Sequence, residues 1–194
     1  MDSAVDRLLD GPAPRADARR NVERLVAAAR AAVDEVGTAV TAHEIARRAG
    51  VGIGTFYRRV PSREALLEAV LAGAIDEMTE LARAARAADD PWPAFCAFAA
   101  DYIRLRATSC GLNEALGGAG GLALADRIDE FRKEFRGLVR RLQLFGVLRA
   151  GLTFRDIAFA LAGVVPQART LGMTADRTQW RRTLQIVLDG VRAT

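Results

Sequence analysis

The chain has few of the residues that bind metals or form disulfides: its 194 residues include two cysteines and one histidine, His43. So small a set argues against a structural zinc site and against a disulfide framework. Cys96 and Cys110 both lie among apolar residues, where a small buried side chain is a more common role than redox chemistry. We therefore expect neither a metal nor a cofactor.

The chain also lacks a long hydrophobic run. The longest, residues 157–166, is about half of what a membrane span requires. The N-terminus carries acidic residues and lacks the basic-then-apolar order of a signal peptide. Because 51% of the residues are hydrophobic, the composition is not that of a disordered chain. These features predict a folded cytoplasmic protein with no membrane partner.

Alternation of apolar and polar residues, which marks a β-strand, is missing throughout. After residue 16 the apolar side chains instead follow the helical i, i+3, i+4 spacing. We therefore predict an all-α protein of about nine helices. Residues 1–16, which contain Gly and Pro and show no period, predict a flexible N-terminal arm. The glycine-rich residues 111–121 are predicted to be irregular, and the last two helices are predicted at residues 154–171 and 175–192.

Positive charge is concentrated in the first third of the chain. Ten arginines and five acidic residues lie between Arg15 and Arg63, so this segment carries an excess of five positive charges. The net charge of the whole chain is +4, so the remainder is close to neutral. This asymmetry indicates contact with a polyanion at one end of the molecule, although a solvated arginine-rich surface explains the charge equally well.

Two short predicted helices, joined by a turn with glycine, lie in the basic segment at residues 41–59. Thr41, with a glutamate three residues later, is a capping-box pattern that begins the first helix, and Gly50 permits the left-handed backbone that ends it. Ile45 of the first helix can pack on Phe56 of the second. The pattern predicts a helix-turn-helix whose second helix presents hydrogen-bond donors to DNA. The alternative is a helical hairpin inside an ordinary bundle.

The segment TAHEIARRAGVGIGTFYRRVPSREALLEAV resembles the DNA-binding segment of the tetracycline-repressor (TetR) family of bacterial transcriptional regulators. The resemblance covers about residues 18–70. The remaining chain resembles the family in layout, and residues 111–124 and 148–165 are similar to the SbtR-like subset. The resemblance implies a helix-turn-helix domain at residues 17–62 and a ligand-binding and dimerisation bundle at residues 63–194.

The resemblance also implies which residues contact DNA. The implied contacts are Thr41, Ala42, Ile53, Thr55, Tyr57, Arg58, Arg59 and Arg63. Three positions depart from the family's pattern: Gly52 replaces a usual Ser, Ile53 a usual polar residue, and Val60 a usual Phe. Because an apolar Ile53 can touch a thymine methyl group but cannot donate to guanine, these departures leave the operator sequence open.

A homodimer is expected because reading two successive major grooves requires two recognition helices about 34–36 Å apart. The last two predicted helices carry the most suitable apolar surface. The predicted interface residues are Phe159, Ala162, Gly163, Trp180, Leu184, Val187, Leu188 and Val191. The alternative is that the stripe on the last helix closes the core of a single protomer.

Aromatic residues at helical spacing in the C-terminal part indicate an apolar pocket for a small lipophilic effector. The predicted pocket residues are Phe95, Cys96, Phe98, Ala99, Tyr102, Phe131, Phe135, Phe145 and Gln167. The alternative is that these side chains are simply the hydrophobic core.

Together these patterns predict a dimeric repressor that holds a palindromic operator in double-stranded DNA and releases it when an effector binds the bundle. An activator or a ligand-blind regulator on the same fold remains open, as does a bundle that binds only proteins. We do not expect an enzyme, because the single histidine lies on the first helix of the motif. The chain also has no Glu-x-x-His pair of the kind that bundle metalloenzymes use.

Overall fold

The computed structural model describes residues 4–8, 16–118, 121–164, 169–176 and 178–193. These residues confirm the predicted all-α fold, with ten α-helices, a 3₁₀ turn at Gly37–Ala39 and one short β-hairpin. No helix among them is long and apolar enough to cross a membrane. The helices are α1 (Ala4–Leu8), α2 (Ala16–Val36), α3 (Ala42–Arg48), α4 (Ile53–Arg59), α5 (Arg63–Ala87), α6 (Pro91–Ala107), α7 (Cys110–Leu116), α8 (Ala125–Leu144), α9 (Phe154–Ala162) and α10 (Gln179–Val191).

One segment that was predicted to be irregular is partly helical. Helix α7 begins after Ser109, whose hydroxyl oxygen accepts the backbone N–H of Leu112 at 3.3 Å and so caps the helix. Leu112 and Ala115 are buried, and α7 packs against α2. The prediction was wrong here because tertiary packing outweighs the low helix propensity of the surrounding glycines.

The predicted helix at residues 154–171 is shorter than expected, since α9 ends at Ala162. Downstream, Arg169–Thr170 (β1) and Met173–Thr174 (β2) form a two-residue antiparallel ladder. Leu171 and Gly172 between them have φ angles of 48° and 76°, which are typical of a tight hairpin turn. The final helix correspondingly begins at Gln179 rather than at residue 175.

The described chain forms two compact units, and each is discontinuous in sequence. The first unit comprises Met1–Asp76 and Thr108–Ile128, and the second comprises Glu77–Ala107 and Asp129–Thr194. The predicted domains at residues 17–62 and 63–194 are continuous instead. The difference arises because the segment that contains α7 packs with the N-terminal helices. In the predicted N-terminal arm, α1 packs on α2 and buries Ala4.

Candidate nucleic-acid interface

The two motif helices are held together by a small hydrophobic core. Ile45 on α3 and Phe56 on α4 are fully buried, and Ala46 is 2% exposed. Between the helices, Gly50 has a φ of 65°, and the backbone N–H of Val51 donates to the carbonyl of Ala46 at 3.0 Å. The backbone conformation predicted for Gly50 is therefore present, and it sets the angle at which α4 leaves α3.

The caps of these helices differ in part from the prediction. The Thr41 hydroxyl oxygen accepts the backbone N–H of Glu44 at 3.2 Å, which is one half of a capping box. The Glu44 carboxylate does not complete the box, because it accepts hydrogen bonds from Arg47 and Arg48 one turn further on. Helix α4 begins after Gly52, which has no side chain to cap it.

Helix α4 has one buried and one exposed face. Phe56 is fully buried, whereas its neighbour Tyr57 is 57% exposed, and their rings meet edge to face at 5.1 Å. Arg58 and Arg59 are exposed. Within the described residues neither arginine has an acidic partner, so their positive charges are not neutralised by the protein. The exposed face of α4 thus offers a phenol and two cationic guanidinium groups to an anionic surface.

Two further predicted contacts on α4 are half-buried, Ile53 and Thr55. The Thr55 hydroxyl oxygen accepts a hydrogen bond from Nη2 of Arg58 at 3.1 Å. Because this bond spans one helical turn, it orients the Arg58 guanidinium along the helix. The prediction that Thr55 and Ile53 touch DNA stays a prediction.

A shallow groove of about 590 Å³ brings four of the predicted contacts together. Thr41 and Tyr57 are exposed at this groove, while the methyl group of Ala42 is buried, so that contact from Ala42 would have to come from its backbone. The groove lining is Ala39, Thr41, Ala42, His43, Tyr57, Pro61, Ser62, Arg63 and Glu64. His43 and Ser62 were not predicted, although their position beside Thr41 and Arg63 in sequence was a signal for both.

Arg63, the fourth of these residues, is used partly inside the protein. Its Nε donates to the carbonyl oxygen of Val40 at 2.5 Å, its Nη2 donates to that of Thr38, and its Nη1 pairs with Glu64 at 2.8 Å. These bonds tie the start of α5 to the turn that precedes α3. The predicted phosphate contact of Arg63 stays a prediction, and only its remaining N–H groups are available for it.

Arginines on α3, in contrast with those on α4, are neutralised by carboxylates. Arg47 and Arg48 both donate to Glu44 at 2.7 to 2.8 Å, and Arg48 also pairs with Glu35 at 2.7 Å. The hydrogen bonds from the two arginines lower the pKa of the Glu44 carboxyl group from 4.5 to about 2. The local charge excess is thereby concentrated on α4.

This network predicts a pH dependence of stability. Because the pKa of Glu44 is lowered by folding, its contribution is present above about pH 4.5 and is lost as the pH falls through about 2. We expect Glu44→Gln to lower the urea midpoint at pH 7, and the gap to the wild type to close between pH 4.5 and 2. Glu23→Gln, which removes a single exposed ion pair with Arg19, is the control and should show a smaller gap at pH 7. A Glu44→Gln gap that is constant with pH would contradict the assignment.

The second unit contains most of the predicted pocket residues in one aromatic cluster. Phe95, Phe98, Tyr102, Phe131 and Phe135 are all 7% exposed or less, and Ala99 beside them is fully buried. The Phe98 and Phe135 ring centroids lie 5.0 Å apart, and Tyr102 stacks on Phe131 at 5.8 Å. The cluster therefore forms a continuous apolar interior contributed by α6 and α8.

The cluster contains one aromatic residue that was not predicted and lacks another that was. Phe154, which was not predicted, joins it through an edge contact with Phe135 at 5.3 Å. Cys96 is half-buried, and burial raises the pKa of its thiol. Phe145 does not belong to the cluster, because it is 56% exposed and lies under the Arg141 guanidinium at 5.0 Å. Gln167 lies outside the described residues.

In the structure, some of the predicted dimer residues are buried and others are exposed. Leu184, Leu188 and Val191 of α10 are at most 9% exposed and close the core of the second unit, as the alternative interpretation had it. Phe159 is 70% exposed, and so is Ile186, at 71%, which was not predicted. The remaining predicted residues are half-buried or exposed, namely Ala162, Gly163, Trp180 and Val187.

Comparison with known proteins identifies both parts of the chain. Residues 25–70 match the model of bacterial regulatory proteins of the tetR family, and residues 90–193 match the model of the SbtR-like transcriptional regulator C-terminal domain. The chain belongs to the TetR family. The resemblance inferred from the sequence, including its SbtR-like part, is thereby confirmed, and the chain is a TetR-family transcriptional regulator with a helix-turn-helix for DNA.

Similar solved structures agree with this assignment. A TetR transcriptional regulator from Streptomyces coelicolor is 30% identical, with 89% of this chain and 98% of that one covered and a TM-score of 0.63. A second one, from Mycobacterium vanbaalenii, is 32% identical with 92% and 99% covered and a TM-score of 0.59. FadR from Bacillus subtilis, solved with stearoyl-CoA, has the same fold at 18% identity, 87% and 98% coverage and a TM-score of 0.60. Among functionally curated proteins no match was found.

Proposed function

We propose that this TetR regulator is a cytoplasmic repressor that binds a palindromic operator as a homodimer and releases it when a small lipophilic effector binds the second unit. The observation that carries the DNA-binding part is the two-faced helix α4. Its buried Phe56 anchors the helix in the core, while Tyr57, Arg58 and Arg59 project outward, and neither arginine pairs with an acidic residue in the part of the chain that the structure describes. Such a helix is suited to the major groove, where arginine reads guanine through two hydrogen bonds.

The proposed contacts divide into two kinds. Tyr57 and Arg58, in the last turn of α4, face the bases, while Ile53 and Arg59 are the first and last residues of the helix. Thr41, with the backbone of Ala42, and Arg63 lie along the adjoining groove and contact phosphates. Phosphate contacts fix the register of the protein on DNA, and the base contacts supply specificity.

The experiment that tests DNA binding begins with selection of duplexes from a random library by the wild-type protein. The affinity for the selected operator is then measured by fluorescence anisotropy between 50 and 300 mM salt. We expect the logarithm of the affinity to fall linearly with the logarithm of the salt concentration, by about 0.9 per neutralised phosphate. A helical bundle that binds only proteins would enrich no duplex and would show no such slope.

Dimerisation is proposed through the exposed apolar side chains of α9 and α10, which pack against one another. Phe159 and Ile186 are 70% and 71% exposed on two helices that pack together, and an exposed apolar patch of this kind commonly marks a protein–protein interface. Sedimentation of the double variant Phe159→Asp, Ile186→Asp should give a folded monomer where the wild type gives a dimer. The matched control is Leu171→Asp, on the hairpin. If both variants sediment as the wild type does, the surface lies elsewhere.

Effector binding is proposed at the aromatic cluster of α6 and α8. Its rings offer an apolar environment with one hydroxyl group, that of Tyr102, which Arg106 contacts at 3.2 Å. The stearoyl-CoA of the Bacillus subtilis FadR supports an effector with a long apolar part.

The sign of regulation is tested separately. Transcript levels of the neighbouring genes are compared in cells with and without the gene for this regulator, and loss of a repressor raises those levels whereas loss of an activator lowers them.

A further inference from the structure

Helix α7 is part of the DNA-binding unit although it follows the motif by some 50 residues in sequence. It packs on both α2 and the 3₁₀ turn Gly37–Ala39. The contact with α2 is close: a Cβ added to Gly111 would lie 2.3 Å from Cγ1 of Val33. Because no larger residue fits at position 111 without movement, α7 lies against α2 at nearly backbone distance.

The side chain of Glu114 carries the polar part of this contact. Its Oε2 accepts the backbone N–H of Thr38 at 2.7 Å and the Thr38 hydroxyl at 2.6 Å. Gly37 has a φ of 79°, and a Cβ there would lie 2.3 Å from Oε1 of Glu114. The carboxylate thus occupies the space that a side chain at position 37 would need. The two hydrogen bonds also lower the pKa of the Glu114 carboxyl group below its usual range.

The same turn is bonded from its other side by Arg63 of α5, which donates to the carbonyl oxygens of Thr38 and Val40. Thr38 therefore uses its N–H, its hydroxyl and its carbonyl in contacts with distant segments. The turn leads directly into Thr41, which caps α3. Its conformation consequently sets where α3, and with it the start of the groove, begins.

We propose that Glu114 is a positioning residue for DNA binding, which holds the turn Gly37–Ala39 so that α3 and α4 are presented in the conformation that binds the operator. This rests on the proposed function. In sequence, α7 lies between α6 and α8, the two helices that carry the aromatic cluster.

The test compares Glu114→Gln and Thr38→Val with the wild type on the selected operator duplex. Both variants keep the shape of the side chain and weaken the contact, so we expect each to bind about tenfold more weakly. The double variant should bind about as weakly as Glu114→Gln alone, because the two residues share one interaction. Thr38→Ser retains the hydroxyl group and should bind within about twofold of the wild type.

Glu68→Gln is the matched control. Glu68 also accepts a hydrogen bond from a backbone N–H, that of Ala123 between α7 and α8, at 2.8 Å. It does not contact the turn Gly37–Ala39. We expect its operator affinity to stay within about twofold of the wild type, even where its melting temperature falls by as much as that of Glu114→Gln. Hydrogen exchange of the peptide that contains Thr38 should be about tenfold faster in Glu114→Gln and unchanged in Glu68→Gln.

The outcomes separate this inference from the proposed function. If the wild type binds operator and the folded variants Glu114→Gln and Thr38→Val bind it equally well, the positioning role is overturned while the proposed function stands. Equal losses of affinity in Glu114→Gln and Glu68→Gln would also overturn it, because they would indicate general destabilisation. If the wild type enriches no duplex, the proposed function fails and the inference fails with it.

Discussion

Replacing Tyr57 and Arg58 together by alanine is expected to weaken operator binding by about 100-fold or more while the protein stays folded. Each well-placed contact to a base edge contributes about 1–3 kcal/mol, and under the proposed function the double variant removes two of them. Because Tyr57 is 57% exposed and Arg58 is exposed, little buried surface is lost. The Arg58 guanidinium is also held by Thr55, so its removal deletes a group that is already oriented in the free protein.

The measurement is the dissociation constant of the selected duplex at a fixed salt concentration, together with a urea titration of each variant. Arg132→Ala is the control, since it removes an exposed arginine from α8 in the second unit, where it pairs with Asp129. It should bind the operator within about twofold of the wild type. Retention of wild-type affinity by the folded Tyr57→Ala, Arg58→Ala variant would remove the basis for assigning α4 as the recognition helix.

Replacing Phe56 by alanine should have the largest effect on folding that any single change in the motif produces. Its ring is fully buried between α3 and α4 and also meets the edge of the Tyr57 ring. Truncation of a buried phenylalanine to alanine costs about 3–5 kcal/mol, from lost burial and from the cavity that remains. We expect the first unit to unfold at a much lower urea concentration and operator binding to be lost with it.

The neighbouring residue provides the control for this prediction. Tyr57→Ala, one position away on the exposed face of α4, should change the free energy of unfolding by about 0.5 kcal/mol or less and still weaken DNA binding. The two variants therefore distinguish a residue that is required for folding of the motif from a residue that is required for DNA binding. A stable, operator-binding Phe56→Ala variant would mean that α4 does not pack as described.

Much of the motif could be predicted because its signals are local. Thr41 caps α3, Gly50 takes the left-handed conformation, and Phe56 is buried while Tyr57 is exposed, all as the residue pattern indicates. The second half of the capping box was wrong for an equally local reason. Two arginines one turn away hydrogen-bond the Glu44 carboxylate more strongly than a single backbone N–H does.

Elsewhere the pattern could not decide between core and surface. The stripe on α10 places Leu184, Leu188 and Val191 on one face, and only the packing of α6 and α9 on that face shows that they close the core. Ile186, off that stripe, is the exposed side chain. Phe145 has the same helical spacing in sequence as Phe131, but it follows the last residue of α8 and lies beyond the buried interior. An amphipathic stripe predicts that a face is covered, not what covers it.

The sequence by itself determined that this TetR regulator is all helical and that residues 41–59 form a basic helix-turn-helix, since helical period, caps and turn glycines act within a few residues of one another. Only the tertiary structure decided which of its charges remain free at that motif. It pairs Arg47 and Arg48 with carboxylates, leaves Arg58 exposed, and brings Glu114 to Thr38 across 76 residues of chain. Such long-range partners leave no periodic trace in sequence, because they depend on how the helices pack.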